Sequence, residues 1–325
     1  MASKPWLLLP VSLAHKLAPM GTRFYSKLLG SSKPEEWRSV RWQHLSFPNP
    51  LGVAGGVDKN AENILDWQSL GAGFIEVGTI TPKKQSANPG QVVDRDSDKK
   101  WLWNKLGFPC QGVDAALKRL KSTKKKRKIP LFANIGKNRT TSNEDAAKDY
   151  LTLIEKLDGH CDAFVINISS PNTKALRELL EPMALKRLLG QIQRENKSNT
   201  PLLLKLSPDI EETQCLSIIN IAIEAGIAGF ILTNTLANKE EYFSAHEGGG
   251  VSGAALTARS EEILKLVGGH LRKRNHRHLL ISVGGVLTKE DVFKRLDLGA
   301  HLVQTYSALV FEGPGFFKQV AKEAK

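Results

Sequence analysis

The stretch LFANIGKNRTTSNEDAAKDYLTLIEKLDGHCDAFVINISSPNT, residues 131–173, contains the pattern that decides the fold. Two apolar runs, LFANIG (131–136) and AFVINIS (163–169), flank Glu144–Leu157, where apolar residues recur at helical spacing. A short apolar run is typical of a strand buried on both faces, and parallel strands need a helical crossover between them. This stretch therefore predicts a strand, a helix and a second, parallel strand.

The same alternation continues along the chain. Further amphipathic segments lie at Leu176–Gln193, Glu211–Ala225 and Glu261–Leu271. The other candidate strands are LGVAGG (51–56), FIEVGT (74–79), LLLKLS (202–207), GFILTN (229–234), LLISVGG (279–285) and HLVQTYSA (301–308). Eight such units predict an α/β fold of the (β/α)8 TIM-barrel type. An open, doubly wound sheet is the alternative, but no G-x-G-x-x-G follows the first strand.

Composition indicates a soluble globular protein with an unusual charge. The 325 residues are 41% hydrophobic and carry a net charge of +13, which favours anionic partners. Two basic runs, KRLKSTKKKRK (118–128) and RKRNHRH (272–278), contribute much of it. The first run could be a nucleic-acid patch, but no aromatic residues are interleaved for stacking on bases. A solvated loop between a helix and a strand is favoured, and no nucleic-acid partner is expected.

The N-terminal segment Trp6–Leu29 is apolar and basic, with no acidic residue. Its apolar residues are interrupted too often for a membrane-spanning helix or a secretory signal. Two short amphipathic helices, split near Pro19-Met20-Gly21, are predicted instead, with Lys16 and Arg23 available to anionic headgroups. Helices that only cap the barrel are the alternative.

In a barrel of this type the chemistry gathers at the carboxyl ends of the strands. Gly284-Gly285 and Tyr306-Ser307 follow the last two predicted strands, where this fold usually binds phosphate, and EGGGVSG (247–253) predicts a further glycine turn beside them. Lys205 lies within an apolar strand, so it needs an anionic partner and is expected to face a negatively charged ligand.

Asparagines recur at these strand ends and in the loops of the barrel mouth: Asn104, Asn134, Asn167, Asn172 and Asn234. An amide offers both a donor and an acceptor, which suits a flat heterocycle with alternating C=O and N–H groups. The set indicates a pyrimidine-like ligand, although any single asparagine is equally compatible with an ordinary turn.

With these segments placed, the chain resembles the dihydroorotate dehydrogenases, and specifically their membrane-associated, quinone-dependent class 2. The resemblance runs from about His44 to Val320. The motifs, in the family's order, are PLGVAGGVDKN, GFIEVGTITPKKQ, NKLGF, NIGKN, INISSPNT, TNT, GGVSG, SVGGV and LVQTYSAL. The chain departs from the family pattern at Pro109-Cys110, in the substrate lid, and at Gly55, where the family has alanine.

The resemblance implies an FMN cofactor and no metal. The implied FMN-binding residues are Ala54, Gly55, Gly56, Lys59, Thr79, Asn134, Asn167, Lys205, Thr233, Gly253, Gly285, Tyr306 and Ser307. Lys205 would face the flavin edge that becomes negative on reduction.

The resemblance also implies the substrate site and the catalytic base. Dihydroorotate would be held by Lys59, Asn104, Lys105, Leu106, Gly107, Phe108, Asn167, Asn172, Asn234 and Thr235. Ser170 matches the base that removes the C5 proton, with Thr173 and Phe108 forming a shielded proton route and Pro171 stiffening the turn. Class 1 enzymes carry cysteine at this position, so Ser170 favours class 2.

In class 2 an N-terminal segment guides ubiquinone or another quinone to the flavin. The resemblance therefore implies a helical segment over residues 1–40, an FMN-binding barrel over 41–325, and a quinone site that includes Arg95 and His15. A peripheral membrane protein on the cytoplasmic face of a bacterial inner membrane is expected, or on the mitochondrial inner membrane if the source is eukaryotic.

Two other functions remain open at this point. A tRNA dihydrouridine synthase would use the basic runs, but such enzymes resemble a cysteine–acid design with an RNA-binding appendix. A degenerate barrel acting as a flavin-binding or membrane-binding scaffold is the non-enzymatic alternative, and the presence of Ser170, Lys59 and Asn167 argues against it.

Overall fold

The computed structural model describes residues 4–173, 175–274 and 277–324. Within these ranges the strands are β1 Val40–Trp42, β2 Leu45–Phe47, β3 Leu51–Asp58, β4 Phe74–Ile80, β5 Val93–Asp96, β6 Trp101–Asn104, β7 Leu131–Ile135, β8 Ala163–Asn167, β9 Leu202–Lys205, β10 Gly229–Leu232, β11 Leu236–Ala237, β12 Gly250–Gly253, β13 Leu279–Val283 and β14 Leu302–Thr305. The α-helices are α1 Val11–Leu29, α2 Ile64–Ser69, α3 Val113–Thr123, α4 Ala146–Leu157, α5 Pro182–Glu195, α6 Glu212–Glu224, α7 Glu240–Phe243, α8 Thr257–Lys273, α9 Lys289–Asp297, α10 Ser307–Phe311 and α11 Phe316–Ala324.

The eight predicted strands close into a barrel, which confirms the predicted fold. In space the barrel runs β3, β4, β7, β8, β9, β10, β13, β14, and β14 pairs with β3 to close it. Every neighbouring pair is parallel, so all eight carboxyl ends meet at one rim. The strand ends singled out in the sequence therefore share one mouth.

The barrel interior changes from apolar to polar within two residues along β4, β7 and β9. Phe74, Phe132 and Leu203 belong to one buried apolar cluster deep in the barrel. Side chains on the same face of a strand recur every second residue, so Glu76, Asn134 and Lys205 lie one layer nearer the mouth. Charged and amide groups thus form the floor on which a ligand in the mouth would rest.

The opposite end of the barrel is closed by the hairpin of β1 and β2. Phe47, at the end of β2, is fully buried. Its ring centroid lies 5.7 Å from that of Phe74 and 6.1 Å from that of Phe132. Such edge-to-face contacts bury large aromatic surface, and together with the apolar cluster they seal the barrel at its amino-terminal end.

The N-terminal segment differs from the prediction of two helices split at Pro19-Met20-Gly21. A 3₁₀ turn, Pro5–Leu8, precedes a continuous helix α1 that contains Pro19. The break falls instead at Leu9, which is extended as a residue before proline prefers. Helix α1 tolerates Pro19 because it packs against α2 and the Pro19 carbonyl accepts a hydrogen bond from Asn63 Nδ2 at 3.1 Å.

The predicted helix Leu176–Gln193 is also two elements. A 3₁₀ turn, Leu176–Leu180, ends at Glu181, which is extended (φ −61°, ψ 136°), and α5 begins at Pro182. Proline disfavours helical geometry in the residue before it and suits the first position of a helix, so it separates the two elements.

A four-stranded sheet in the order β11-β12-β6-β5 lies beside the barrel mouth and was missed in the sequence. The predicted glycine turn at 247–253 is wrong for its second half, because Gly250–Gly253 is strand β12, paired with both β6 and β11. Among the described residues, no helix is both long enough and apolar enough to cross a membrane.

Candidate active site

A cavity of ≈ 1210 Å³ occupies the barrel mouth and continues along α1. Ser170 and Lys205 line its barrel end, whereas His15, Ala18 and Phe24 of α1 line the other. Ligand pockets commonly measure about 300–1,000 Å³, so this cavity is large enough for more than one small molecule.

Most residues predicted for the site line this one cavity. They are His15, Ala54, Gly55, Gly56, Lys59, Thr79, Arg95, Asn104, Leu106, Gly107, Phe108, Asn134, Asn167, Ser170, Asn172, Lys205, Thr233, Asn234, Thr235, Gly285, Tyr306 and Ser307. Three predicted residues are not among its lining: Lys105, Thr173 and Gly253. Lys105 Nζ instead donates to the Glu247 carbonyl at 2.9 Å, and Thr173 is buried.

Asn167, at the end of β8, connects the amides of the mouth. Its Nδ2 donates to Thr79 Oγ1 at 3.0 Å and to Asn134 Oδ1 at 3.1 Å. Its Oδ1 accepts from Asn234 Nδ2 at 3.3 Å and from Ser169 Oγ at 3.3 Å. Because these groups are buried, the network fixes their orientation before any ligand arrives.

Beneath the amides lies a buried ion pair that includes a residue missed in the sequence. Glu76, which is fully buried, accepts from Lys205 Nζ at 3.2 Å, Asn134 Nδ2 at 2.6 Å and Gln304 Nε2 at 2.7 Å. The anionic partner expected for Lys205 is therefore present within the protein. An acidic residue inside the apolar run FIEVGT was the signal that could have identified Glu76.

Gly55 makes room for that carboxylate. A Cβ built on Gly55 would lie 2.1 Å from Glu76 Oε1 and 3.1 Å from Asn134 Nδ2. Real side chains do not approach so closely, so an alanine here would displace the carboxylate. The departure from the family pattern at this position thus matches the local packing.

Ser170 is buried, and its hydroxyl lies at the turn that follows β8. Its Oγ accepts a hydrogen bond from the Asn172 backbone N–H at 3.2 Å. Asn172 Nδ2 in turn donates to Asn104 Oδ1 at 2.7 Å, and Asn88 Nδ2 donates to the Asn172 carbonyl at 3.0 Å. The predicted loop is therefore tied to strand β6, which covers the mouth.

Phe108 has a left-handed backbone (φ 58°), which is uncommon for a bulky residue. Gln85 holds it there, because its Nε2 donates to the carbonyls of both Gly107 and Phe108 at 3.0 Å. Cys110, which departs from the family pattern in the lid, is buried, and its Sγ lies 3.0 Å from Thr81 Oγ1. The lid turn is thus fixed by side chains of the segment after β4.

Lys59 joins the barrel mouth to α1. Its Nζ lies 3.1 Å from His15 Nε2. Burial lowers the pKa of Lys59 to about 8, whereas burial and the Lys59 charge lower the pKa of His15 to about 4. Near neutral pH the lysine is therefore charged and donates to a neutral imidazole, which carries its own proton on Nδ1.

Arg95 lies where the cavity meets the N-terminal segment. Its guanidinium donates to the carbonyls of Leu7 at 2.8 Å and Leu9 at 3.1 Å. It therefore holds the turn that leads into α1, while burial lowers its pKa from the ordinary arginine value.

Several buried polar atoms around the mouth have no hydrogen-bond partner within the described residues. They include Asn172 Oδ1, Thr173 Oγ1 and Thr235 Oγ1. A buried polar atom without a partner costs about 1–3 kcal/mol, so such atoms beside a cavity indicate the place where a polar ligand binds.

Comparisons with known proteins agree on one family. A family model described as dihydroorotate dehydrogenase matches residues 39–325. A protein of Christiangramia forsetii named dihydroorotate dehydrogenase (quinone) is 42% identical over 281 residues, covering 85% of this chain and 81% of the relative. A protein of the same name from Halorhodospira halophila is 37% identical over 319 residues, covering 95% and 91%. A solved structure, DHODH from Eimeria tenella in complex with ferulenol, superposes with a TM-score of 0.86 at 32% identity, covering 97% of this chain and 90% of that one.

Proposed function

The chain belongs to the dihydroorotate dehydrogenase family, and we propose that it oxidises (S)-dihydroorotate to orotate in pyrimidine biosynthesis, with FMN as hydride acceptor and ubiquinone or another quinone as final acceptor. The observation that carries this proposal is that one continuous cavity joins the barrel mouth to α1. It brings the Ser170 hydroxyl, the Lys59 ammonium group and the amides of Asn167 and Asn234 together, and it extends to α1.

The residues around the mouth are compatible with FMN. Gly56 has a left-handed backbone (φ 94°), and a Cβ built on it would meet only Tyr306, at 3.7 Å, so a flat ring can lie against this backbone. Gly284 and Gly285 also have positive φ, and their bare backbone suits a phosphate. When bound there, FMN would supply the hydride acceptor. Lys205 would hold a positive charge beneath it.

The pyrimidine would be bound by the groups that lack partners. Asn172 Oδ1 and Thr235 Oγ1 are free to bond ring N–H and C=O groups, and the amides of Asn104, Asn167 and Asn234 surround the same space. Lys59 would pair with the carboxylate, because it is charged at neutral pH and otherwise bonds only a neutral imidazole within the described residues.

Ser170 would remove the C5 proton. A serine hydroxyl is a weak base, so it has to pass a proton onward as it takes one from C5, along a route shielded from bulk water. The unpartnered hydroxyl of Thr173 would relay that proton toward solvent, and the ring of Phe108 would shield the route. The Asn172 N–H, 3.2 Å from Ser170 Oγ, orients the oxygen.

We propose that residues 1–40 form the quinone and membrane segment and that residues 41–325 form the catalytic barrel. The α1 side of the cavity is apolar, with Ala18 and Phe24 in its lining, and leads to His15 and Arg95. The exposed apolar side chains of α1 would lie against an anionic membrane. The protein would then be peripheral, on the cytoplasmic face of a bacterial inner membrane or on the mitochondrial inner membrane.

An anaerobic titration tests the function. Purified protein loaded with FMN should lose its yellow colour on addition of dihydroorotate, and a quinone should restore it. Restoration by fumarate or NAD⁺ and not by quinone would overturn the assigned acceptor. Absence of bleaching by dihydroorotate would overturn the assigned substrate.

A further inference from the structure

The basic run that follows α3 is not used by the chemistry proposed above. Lys124, Lys125, Lys126 and Lys128 are all exposed. Within the described residues none of the four pairs with a carboxylate, whereas Arg127, in the same run, pairs with Asp162 at 3.0 Å. Four uncompensated cations in five positions repel one another, so the run gains free energy from an anionic surface.

The run is fixed beside the carboxyl end of α1. Lys128 Nζ donates to the Ser32 carbonyl at 3.3 Å. Gln68, in α2, accepts from the Lys128 N–H at 2.6 Å and donates to the Lys126 carbonyl at 3.4 Å. The Ser31 N–H donates to the Ser69 carbonyl at 2.8 Å. Helix α2 therefore holds the basic run against the residues that follow α1.

Helix α1 presents an apolar stripe that leads to the same place. Met20, Phe24 and Leu28 are 66%, 63% and 67% exposed, and their spacing of four residues places them on one face. Leu13 and Leu17 extend the stripe toward the start of the helix, and Leu17, Met20 and Phe24 also border the α1 end of the cavity, which therefore opens along the stripe. Exposed apolar patches of this kind mark contacts with a partner or a membrane.

We propose that Lys124, Lys125, Lys126 and Lys128, together with the exposed Lys33, form a basic shelf that binds anionic phospholipid headgroups while the α1 stripe enters the bilayer. The inference deepens the membrane contact proposed above by adding a surface from the barrel itself. The shelf lies next to the end of the stripe. When Leu28 inserts among the lipid chains, the headgroups of the same lipids would therefore contact the lysines.

A bilayer fits this surface better than a nucleic acid does. Single-stranded nucleic acids are bound by cations interleaved with aromatic side chains, and residues 118–128 contain no aromatic residue. A lipid surface instead needs cations bordering an apolar face, and that is the arrangement of the shelf and the stripe.

Vesicle sedimentation of the full, FMN-loaded chain tests the proposal. The variant K124Q/K125Q/K126Q should bind vesicles of phosphatidylcholine and phosphatidylglycerol about tenfold more weakly or worse than the unaltered chain at low salt. Binding to pure phosphatidylcholine vesicles should not change, because the stripe is intact.

The chain offers a matched control with the same loss of charge. Arg272, Lys273 and Arg277 are exposed at or just after the end of α8. The barrel strand that precedes α8 is β10, and the barrel strand that precedes α3 is β4, which lies diametrically opposite β10. The variant R272Q/K273Q/R277Q should change vesicle binding less than twofold. Equal losses in both variants would show that net charge alone acts, and that would overturn the shelf.

Two further outcomes would also refute the proposal. One is vesicle binding that the lysine variant leaves unchanged. The other is a lysine variant that loses binding to a tRNA mixture and keeps its binding to vesicles, which would assign the run to nucleic acid.

An activity assay separates this proposal from the proposed function. Oxidation of dihydroorotate by a short-chain, water-soluble quinone, measured on the same preparations, should be equal in the unaltered chain and both variants. If the unaltered chain did not oxidise dihydroorotate, the proposed function would be refuted, whatever the vesicle result.

Discussion

The barrel mouth and helix α1 depart in opposite ways from the rule that apolar groups are buried and polar groups exposed. The mouth buries Asn134, Asn167 and Lys205, each 5% exposed or less, whereas α1 exposes Phe24 and Leu28 by more than half. Both arrangements cost free energy in the isolated chain. The comparison teaches that each departure has the same physical reading, a surface suited to a binding partner, which we propose is a polar ligand in the mouth and an apolar phase along the helix.

The largest effect is expected in the mouth, at Ser170. The substitution Ser170→Ala removes the proposed base without creating a cavity, so flavin reduction by dihydroorotate should slow roughly 10²- to 10⁴-fold, while FMN stays bound. Anaerobic stopped-flow absorbance measures the rate. Ser169→Ala, which alters the neighbouring hydroxyl that bonds Asn234 and Asn167, should slow reduction much less. Equal rates for Ser170→Ala and the unaltered chain would remove Ser170 from the mechanism.

Removing one partner of the buried pair beneath the mouth should lower folding stability. Glu76→Gln leaves Lys205 buried without a counter-charge, so the free energy of unfolding should fall by about 3–5 kcal/mol. Denaturant titration measures the change, and the double variant Glu76→Gln/Lys205→Met should recover part of it. Asp145→Asn, which breaks an exposed ion pair with Lys148, should leave the denaturation midpoint in place. A Glu76 variant as stable as the unaltered chain would show that the pair does not support the fold.

On α1 the expectation is reversed, because loss of apolar groups should affect binding and not folding. Phe24→Ser/Leu28→Ser should weaken partitioning onto vesicles of any composition by roughly tenfold or more, since each side chain contributes about 1.5–3 kcal/mol when fully buried. The denaturation midpoint should be unchanged or slightly raised. Sedimentation and denaturation of the same preparation separate the two effects. A fall in stability with unchanged vesicle binding would show that the stripe packs within the protein.

The smallest effect is a pH dependence at the junction of the two regions. The pKa of Lys59 is lowered to about 8 by burial, so the ammonium that would pair with the substrate carboxylate is lost as pH rises above that value. Orotate affinity should be constant below pH 8 and fall about tenfold per unit above it. Flavin absorbance titrations measure the affinity.

Two variants sharpen this test. Lys59→Met should bind orotate weakly with no slope in this range. Asn172→Ala should also bind weakly but keep the slope of the unaltered chain. A slope that persists in Lys59→Met would assign the titration to another group.

The barrel could be predicted because each strand carries its own signal, a short apolar run closed by a polar or glycine-containing end. Helix α1 was less predictable. Pro19 favours a break, and the contacts with α2 that override it are not visible in the local sequence. The sheet beside the mouth was missed for a similar reason, since Gly250 pairs with Asn104, 146 residues away.

Within the site, most residues assigned by the family resemblance lie around one cavity, whereas the protein partners that hold them there were not predicted. Lys205 was singled out because a charge lies in an apolar strand, and the same argument applied to Glu76 would have paired the two. Gln304 was missed because it lies within the strand of LVQTYSAL, whereas the signal for a binding site comes from Tyr306 and Ser307 after the strand. Strand register decides which buried groups hydrogen-bond to one another, as in the pairing of Asn167 with Lys205. Register depends on two strands at once, so it cannot be predicted from the sequence of either strand alone.

The aromatic seal formed by Phe47, Phe74 and Phe132 has a kinetic consequence. The seal closes the amino-terminal end of the barrel, so orotate has to depart on the side of the barrel from which the next dihydroorotate enters. Accumulated orotate should therefore slow turnover by occupying the route by which dihydroorotate enters. A loop that narrows this opening would limit the rate of the whole cycle.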